Sequence, residues 1–278
     1  MYAQESKSDG TFTVVLDAGH GGKDSGNRGN QYYEKHIALK VTLKIGAILK
    51  KNSDINIIYT RKSDVFIPLN KRADIANSAK ADLFVSIHCD AHTSNAYGAG
   101  TFVLGLHEND RNFRIAQKEN SVIFLEEDYE KNYDGFDPNN PESVISLVLM
   151  QETYLEQSIQ AANTIQQSFV RNLKRKNRTV KQAGFLVLRN TYMPSVLVEL
   201  GFLTNKIEGA YLNSKRGQTE MSEAIAKAII SYKNLLQSDL QEDVVFEDLS
   251  SNTEKNNFEL EYIFRVQISA SKTMLEPK

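Results

Sequence analysis

Apolar positions along this 278-residue chain fall into short continuous runs that alternate with stretches of helical period. The first run, Val14-Val15-Leu16, passes through Asp17-Ala18 into Gly19-His20-Gly21-Gly22. An apolar run closed by glycines predicts a strand packed on both faces. Ile37, Val41, Ile45, Ile48 and Leu49 then recur on one side of a helix ending near Lys50, with Glu34 at its entrance. A strand over 55–59 and a helix over 69–79 follow, and the run 83–87 ends in His88. The pattern of His20 repeats there, a buried strand terminating in a histidine.

Further on, the pattern predicts a strand over 101–106, a helix from Arg111 to about Glu127, and a loop over 128–141, where Gly135, Pro138 and Pro141 break the period. Residues 143–173 read as one long helix. Two short strands are expected at 184–188 and 195–200, the second holding Glu199 among apolar neighbours, and a last helix at 219–236. The division this suggests is a tail over 1–11, one main domain over 12–237 with an insertion at about 117–144, and a polar, acidic linker over 238–257. The alternating segment from Glu261 to Ile268 resembles the opening strand of a SPOR wall-binding module over 258–278; an added edge strand of the main sheet is the plainer alternative.

Composition removes several classes of function. The net charge is −2 and the sequence pI about 6.2, with Lys and Arg spread among Asp and Glu, so there is no footprint for nucleic acid. No run approaches the roughly 18 to 20 apolar residues that span a bilayer, so no transmembrane segment is expected. Cys89 is the single cysteine, which excludes an internal disulfide. The start, Tyr2-Ala3-Gln4 before polar Glu5-Ser6-Lys7-Ser8, fits the scar of a removed secretory signal and hence an exported protein.

The candidate chemistry comes from residues that are unremarkable singly. A histidine after a strand is usually a turn residue, and a carboxylate such as Glu34 is favoured in any first helical turn. Together, His20, Glu34 and His88 make a three-ligand set for catalytic zinc that keeps a fourth position open. Glu199 at the end of another apolar strand adds a carboxylate that is costly unless paired or used, and it is placed to act as general base and then general acid.

Asp17-Ala18-Gly19-His20-Gly21-Gly22, Glu34, Ser86-Ile87-His88, and Pro194-Ser195-Val196-Leu197-Val198-Glu199 running on to Asn205 resemble, in this order, the zinc-dependent N-acetylmuramoyl-L-alanine amidases. These are cell-wall hydrolases active in daughter-cell separation. The resemblance spans about Val14 to Leu236. It implies an α/β three-layer sandwich around a mixed, mostly parallel sheet flanked by helices, Zn2+ held by His20, Glu34 and His88, and Glu199 as the catalytic glutamate. It also implies peptidoglycan as substrate, the periplasm or cell envelope as location, and an activator protein at the division site as a candidate partner; a monomer is expected. Two rivals share much of the pattern: a zinc peptidase of other amides, and a non-catalytic wall-binding or regulatory protein that keeps the fold.

The chain departs from the family in carrying Cys89 and Asp90 where a small residue and asparagine are usual. Cys89 should face away from His88, because neighbours along a strand point to opposite sides. His36, His92 and His107 are expected in solvent, although His36 competes with Glu34 if the helix start is displaced. Amidases of the division type carry an insertion that can occlude the active site. The segment 117–144 is the expected plug, and Glu126, Glu127 and Glu130 are the candidates to fill the open metal position, against the alternative of a solvated acidic loop.

Overall fold

The computed structural model describes residues 10–106, 109–140, 143 and 152–251. The chain divides into two units, Met1–Leu236 and Gln237–Lys278, and the first contains everything described below except the end of the last helix. Its centre is a six-stranded sheet of β1 (Phe12–Ala18), β4 (Ile55–Tyr59), β5 (Leu83–Asp90), β6 (Ala99–Leu104), β7 (Asn177–Ala183) and β8 (Ser195–Phe202). The order is β4-β1-β5-β8-β6-β7. The first four are mutually parallel, β6 is antiparallel to β8, and β7 runs parallel to β6. Two short strands, β2 (Arg28–Gly29) and β3 (Tyr32–Tyr33), pair separately ahead of α1 (Glu34–Leu49).

Side chains alternate between two cores, as period two requires. On one face Val14, Leu16, Val85, Ile87, Cys89, Val196 and Val198 pack with α1, α5 (Leu155–Leu173) and α8 (Lys215–Ser251). On the other, Val15, Phe84, Phe102 and Leu197 pack with α2 (Leu69–Ser78), α3 (Asp110–Asn120), α4 (Tyr129–Asn132) and the short helix α6 (Leu186–Arg189). A seventh helix, α7 (Lys206–Asn213), follows β8. Helices on both faces of a mixed, mostly parallel sheet give the expected three layers. Asp17, Ser86, His88 and Glu199 occupy the register positions that face α2 and α3, near the carboxyl ends of β1, β5 and β8, where ligands gather in such sheets.

Some elements differ from the sequence expectation, among them the short helix α4 inside the segment expected to be a loop. The apolar run 184–188 is a helical turn, with Phe185, Leu186 and Leu188 buried in the second core; the strand is its polar neighbour β7. An edge strand needs no apolar run, and its charged side chains discourage pairing with another chain. The helix expected to reach Glu127 ends at Asn120 and gives way to a 3-10 turn over Ser121–Leu125. Residues 238–251, within the expected linker, continue the last helix. The segments 1–9, 144–151 and 252–278, with the signal remnant, the start of the long helix and the SPOR-like strand, lie outside the described residues, as does His107.

Candidate metal centre and active site

His20 sits in a turn whose backbone is held from behind. Its φ of 60° is unusual for a residue with a side chain, and two buried arginines fix the carbonyls around it. Arg61 donates to the carbonyls of Ala18 (2.9 Å) and Gly19 (2.8 Å), while Arg72 donates to those of Ala18 (2.8 Å) and His20 (3.0 Å). Gly19 is required by packing: a Cβ there would lie 2.5 Å from the His88 ring. At Gly26, with φ +62°, a Cβ would lie 2.5 Å from the His20 ring and 2.7 Å from Glu34 Oε2.

Each imidazole is oriented by an outer partner, which leaves its other nitrogen to face inward. His20 Nδ1 meets Asp24 Oδ2 at 2.7 Å. His88 Nε2 lies 3.0 Å from Ser86 Oγ, which donates at 2.6 Å to Asp17. Thr60 (2.6 Å) and Arg72 (2.8 Å) also donate to Asp17, so that carboxylate is fixed on three sides. With Asp17 taking the Ser86 proton, Ser86 accepts from His88 Nε2–H, and the network assigns the free lone pair to Nδ1. Glu34, fully buried at the first residue of α1, accepts from the backbone N–H groups of Cys89 (2.8 Å) and Asn27 (2.7 Å).

The inward atoms converge. His20 Nε2 is 3.1 Å from Glu34 Oε1, and His88 Nδ1 is 3.0 Å from the same oxygen. A fourth residue joins them: Glu119 Oε2 lies 3.0 Å from His20 Nε2 and 3.1 Å from His88 Nδ1. One ligand atom from each of the four lies within 4.8 Å of all the others. Yet His20 Nε2 and Glu119 Oε2 have no hydrogen-bond partner of proper geometry. His88 Nδ1 and Glu34 Oε1 do meet hydrogen-bond geometry, but the two unpartnered atoms aimed at the same point are what a cation-binding cluster presents. Two imidazole nitrogens and two carboxylates form a donor set that can hold a divalent metal ion.

Without a cation the cluster holds protons. Burial works against the charged form of His20, but Glu34 and Glu119 outweigh it and hold its pKa well above the ordinary value. His88, with the same conflict between burial and Glu119, is pushed up to about 9. Glu199 shows the opposite pattern. It pairs in register with His88 across β5 and β8, and neither carboxylate oxygen has a hydrogen-bond partner. Burial, then Asp90, Glu119 and Glu34, raise its pKa well above the carboxylate range. A buried carboxyl of raised pKa beside a metal cluster suits proton transfer.

The acidic residues expected to fill the fourth position are elsewhere. Glu126 accepts from Leu69 N (3.2 Å) and from the Tyr133 hydroxyl (2.8 and 2.9 Å), and Glu127 and Glu130 face solvent. Glu119 reaches the cluster because it lies on the buried side of α3 with Asn112, Ala116 and Asn120. That 3.6-residue spacing, carrying a carboxylate at a core position, was the available signal. Asn27, which donates to Cys89 O (2.8 Å) and more weakly to Glu119 (3.3 Å), had none beyond its loop composition. Cys89 packs in the opposite core and is absent from the cluster, and His36 and His92 are exposed.

The sequence pattern of the N-acetylmuramoyl-L-alanine amidase family matches residues 14–231. The chain belongs to this family. It is 35% identical over 230 residues to the N-acetylmuramoyl-L-alanine amidase AmiA of Escherichia coli K12, covering 81% of this chain and 78% of that protein. It is 31% identical to AmiC of Escherichia coli O6:H1, across 81% of this chain and 53% of that one. The crystal structure of an N-acetylmuramoyl-L-alanine amidase from Clostridium difficile 630 superposes with a TM-score of 0.62 at 27% identity, over 81% of this chain and 98% of the other. As a member of this amidase family the chain is an enzyme of cell-wall processes whose substrate class is peptidoglycan.

Proposed function

We propose that this amidase is zinc-dependent, that it cleaves the amide between the lactyl group of N-acetylmuramic acid and L-alanine of the stem peptide, and that it acts in daughter-cell separation. The observation that carries the reading is the convergence of His20, Glu34 and His88 on one point with Glu199 beside them in register. A zinc ion held there supplies Lewis acidity, which polarises a carbonyl and makes water acidic near neutral pH. Asp24 and the Ser86–Asp17 pair keep both imidazoles aimed. Glu199 accepts the proton of the attacking water and passes it to the nitrogen of the departing L-alanine.

Glu119 sets the regulation. With zinc bound, Glu119 would be a fourth protein ligand and would occupy the position that substrate and water need, so the enzyme with α3 in this place would be inactive. The plug is Glu119 within the segment 117–144, and an activator protein that displaces α3 would release it. Export follows from the substrate, which lies outside the cytoplasm; among the described residues no helix is long and apolar enough to cross a membrane.

The test combines zinc content with mass spectrometry of digested peptidoglycan. One zinc per chain and release of free stem peptides with an L-alanine amino terminus are expected. Cleavage of plain peptides but not muropeptides would establish a zinc peptidase instead, and turnover that survives removal of zinc would refute the metal assignment.

A further inference from the structure

Across the sheet from the metal cluster, the row of residues at the active edge continues past Glu199. Gly100 of β6 pairs with Glu199, and β7 lies beyond. Lys181 of β7 extends back over Gly100: a Cβ on Gly100 would lie 3.4 Å from Lys181 Nζ and 3.1 Å from Arg178 Cβ. The missing side chain at Gly100 therefore lets the Lys181 ammonium lie over β6, toward the strand that carries Glu199. Lys181 and Glu199 line one small cleft, together with Asp90, Arg111 and Arg178.

The cations in this cleft are under-used. Arg178 donates its Nε to Tyr97 O (2.8 Å) and lies 5.0 Å over the Phe202 ring. Lys181 Nζ has only the Phe102 ring, 4.9 Å away, and forms no ion pair among the described residues. Burial, then Arg111 and Arg178, lower its pKa to about 8. Asp90 and Glu199, which line the same cleft, oppose that shift less strongly, and neither forms an ion pair with Lys181, so the ammonium beside two guanidinium groups keeps a place for a further anion.

The direction of proton transfer identifies that anion. Glu199 delivers its proton to the leaving nitrogen, so the peptide side of the substrate lies toward β6 and β7, and the glycan side lies away from them. Near the cut the glycan side is neutral. The first anionic group on the peptide side is the α-carboxylate of the residue after L-alanine, a glutamate linked through its side chain. A carboxylate one residue along lies roughly 6 Å from the leaving nitrogen. The two strand steps from β8 to β7 span about 10 Å, and the Lys181 side chain returns over more than half of that. We propose that Lys181, backed by Arg178, is the subsite that binds this carboxylate and selects stem peptides in which it is free over those in which it is amidated. The proposal rests on the amidase reading and adds its specificity determinant.

The test compares muramoyl peptides with a free carboxylate or an amide at the second residue, using the full zinc-loaded chain and its Glu119→Ala variant. The chain is expected to prefer the free acid, and Lys181→Met should raise KM for that substrate about tenfold with kcat little changed, as loss of one charge-assisted contact predicts. Turnover of the amidated substrate should move less than about twofold, and Lys181→Arg should restore much of the preference. Calorimetric binding of the released peptides, acid against amide, forms a second arm that needs no turnover. If no muramoyl peptide is cleaved, the amidase reading fails, while the binding arm still decides the subsite. Equal binding of acid and amide, or equal loss on both with Lys181→Met, would overturn the proposal.

Discussion

Replacing Glu119 with alanine should activate the enzyme. In the closed arrangement one oxygen, Oε2, contacts both His20 and His88 at 3.0 and 3.1 Å, and Asn27 adds a weak bond at 3.3 Å. The two histidine contacts share an oxygen and are not independent. Neither contact is a hydrogen bond of proper geometry, so the carboxylate's hold on the cationic site as a whole is valued as one charge-assisted interaction, about 1.5–3 kcal/mol. That is roughly a 10- to 150-fold shift in the closed-to-open ratio, and basal activity should rise by the same factor while the closed form dominates. The rest of the attachment is untouched. Asn120 still bonds Gly184 O (2.7 Å) and Leu186 N (2.8 Å), Ile123 stays buried, and alanine is the best helix former. Release of dye from labelled sacculi at saturating zinc measures the activity, with metal content and circular dichroism followed in parallel. Unchanged or reduced hydrolysis in a folded variant holding one zinc per chain would refute the occlusion. A fall in zinc content would instead make Glu119 a ligand the working site depends on.

Three further outcomes are expected. Glu199→Gln should keep zinc and lose turnover. In metal-free protein it should also be more stable than wild type near neutral pH. The native pKa of Glu199 is raised, so wild-type stability falls as pH climbs from about 4.5 through the native value; the variant lacks that fall, and a melting-temperature gain that persists at pH 4 would contradict the assignment. Ser86→Ala should weaken zinc binding about 10- to 100-fold in a chelator competition, because His88 loses the group that orients it, and undiminished affinity would show the ring is held by packing alone. The preference for a free carboxylate, measured as kcat/KM, should be near full at about pH 6 to 7, fall to about half near pH 8 and keep declining above it as Lys181, with a pKa of about 8 in the free enzyme, loses its proton; a flat profile to pH 10 would count against Lys181 as the cation.

Much of the centre was legible in the sequence because its residues are bound to local grammar. His20 and His88 each close an apolar run, Glu34 opens a periodic helix, and Glu199 interrupts a strand otherwise apolar, so each is anomalous within a few positions of itself. Parallel strands then carry those anomalies to one edge, which is a topological consequence and not a local one. Glu119 carries only a weak cue, its helical spacing from Asn112 and Ala116. In a helix of mostly polar residues its carboxylate looks solvated until the buried side of α3 is known. The acidic run at 126–130 is the louder signal, yet the 3-10 turn at Ser121–Leu125 redirects the chain and leaves Glu127 and Glu130 in water.

Lys181 was hidden by strand direction. A reader who looks for chemistry at the carboxyl ends of strands finds β1, β5 and β8, which are parallel. β6 is antiparallel to β8, and β7 follows β6, so it is the beginnings of these two strands that meet the active edge. Gly100 is the second residue of β6 and Arg178 the second of β7, whereas Lys181 lies further along β7, in register with Phe102, and only its side chain reaches back over Gly100. The mixed sheet thus joins two kinds of site on one row. Strand ends supply histidines and carboxylates at the metal, where burial and convergence are strict. Strand beginnings supply half-buried cations one to two strands away, where burial is looser and a substrate group completes the charge. Substitutions in the first set should abolish turnover of every substrate, whereas those in the second should change which substrate is cut.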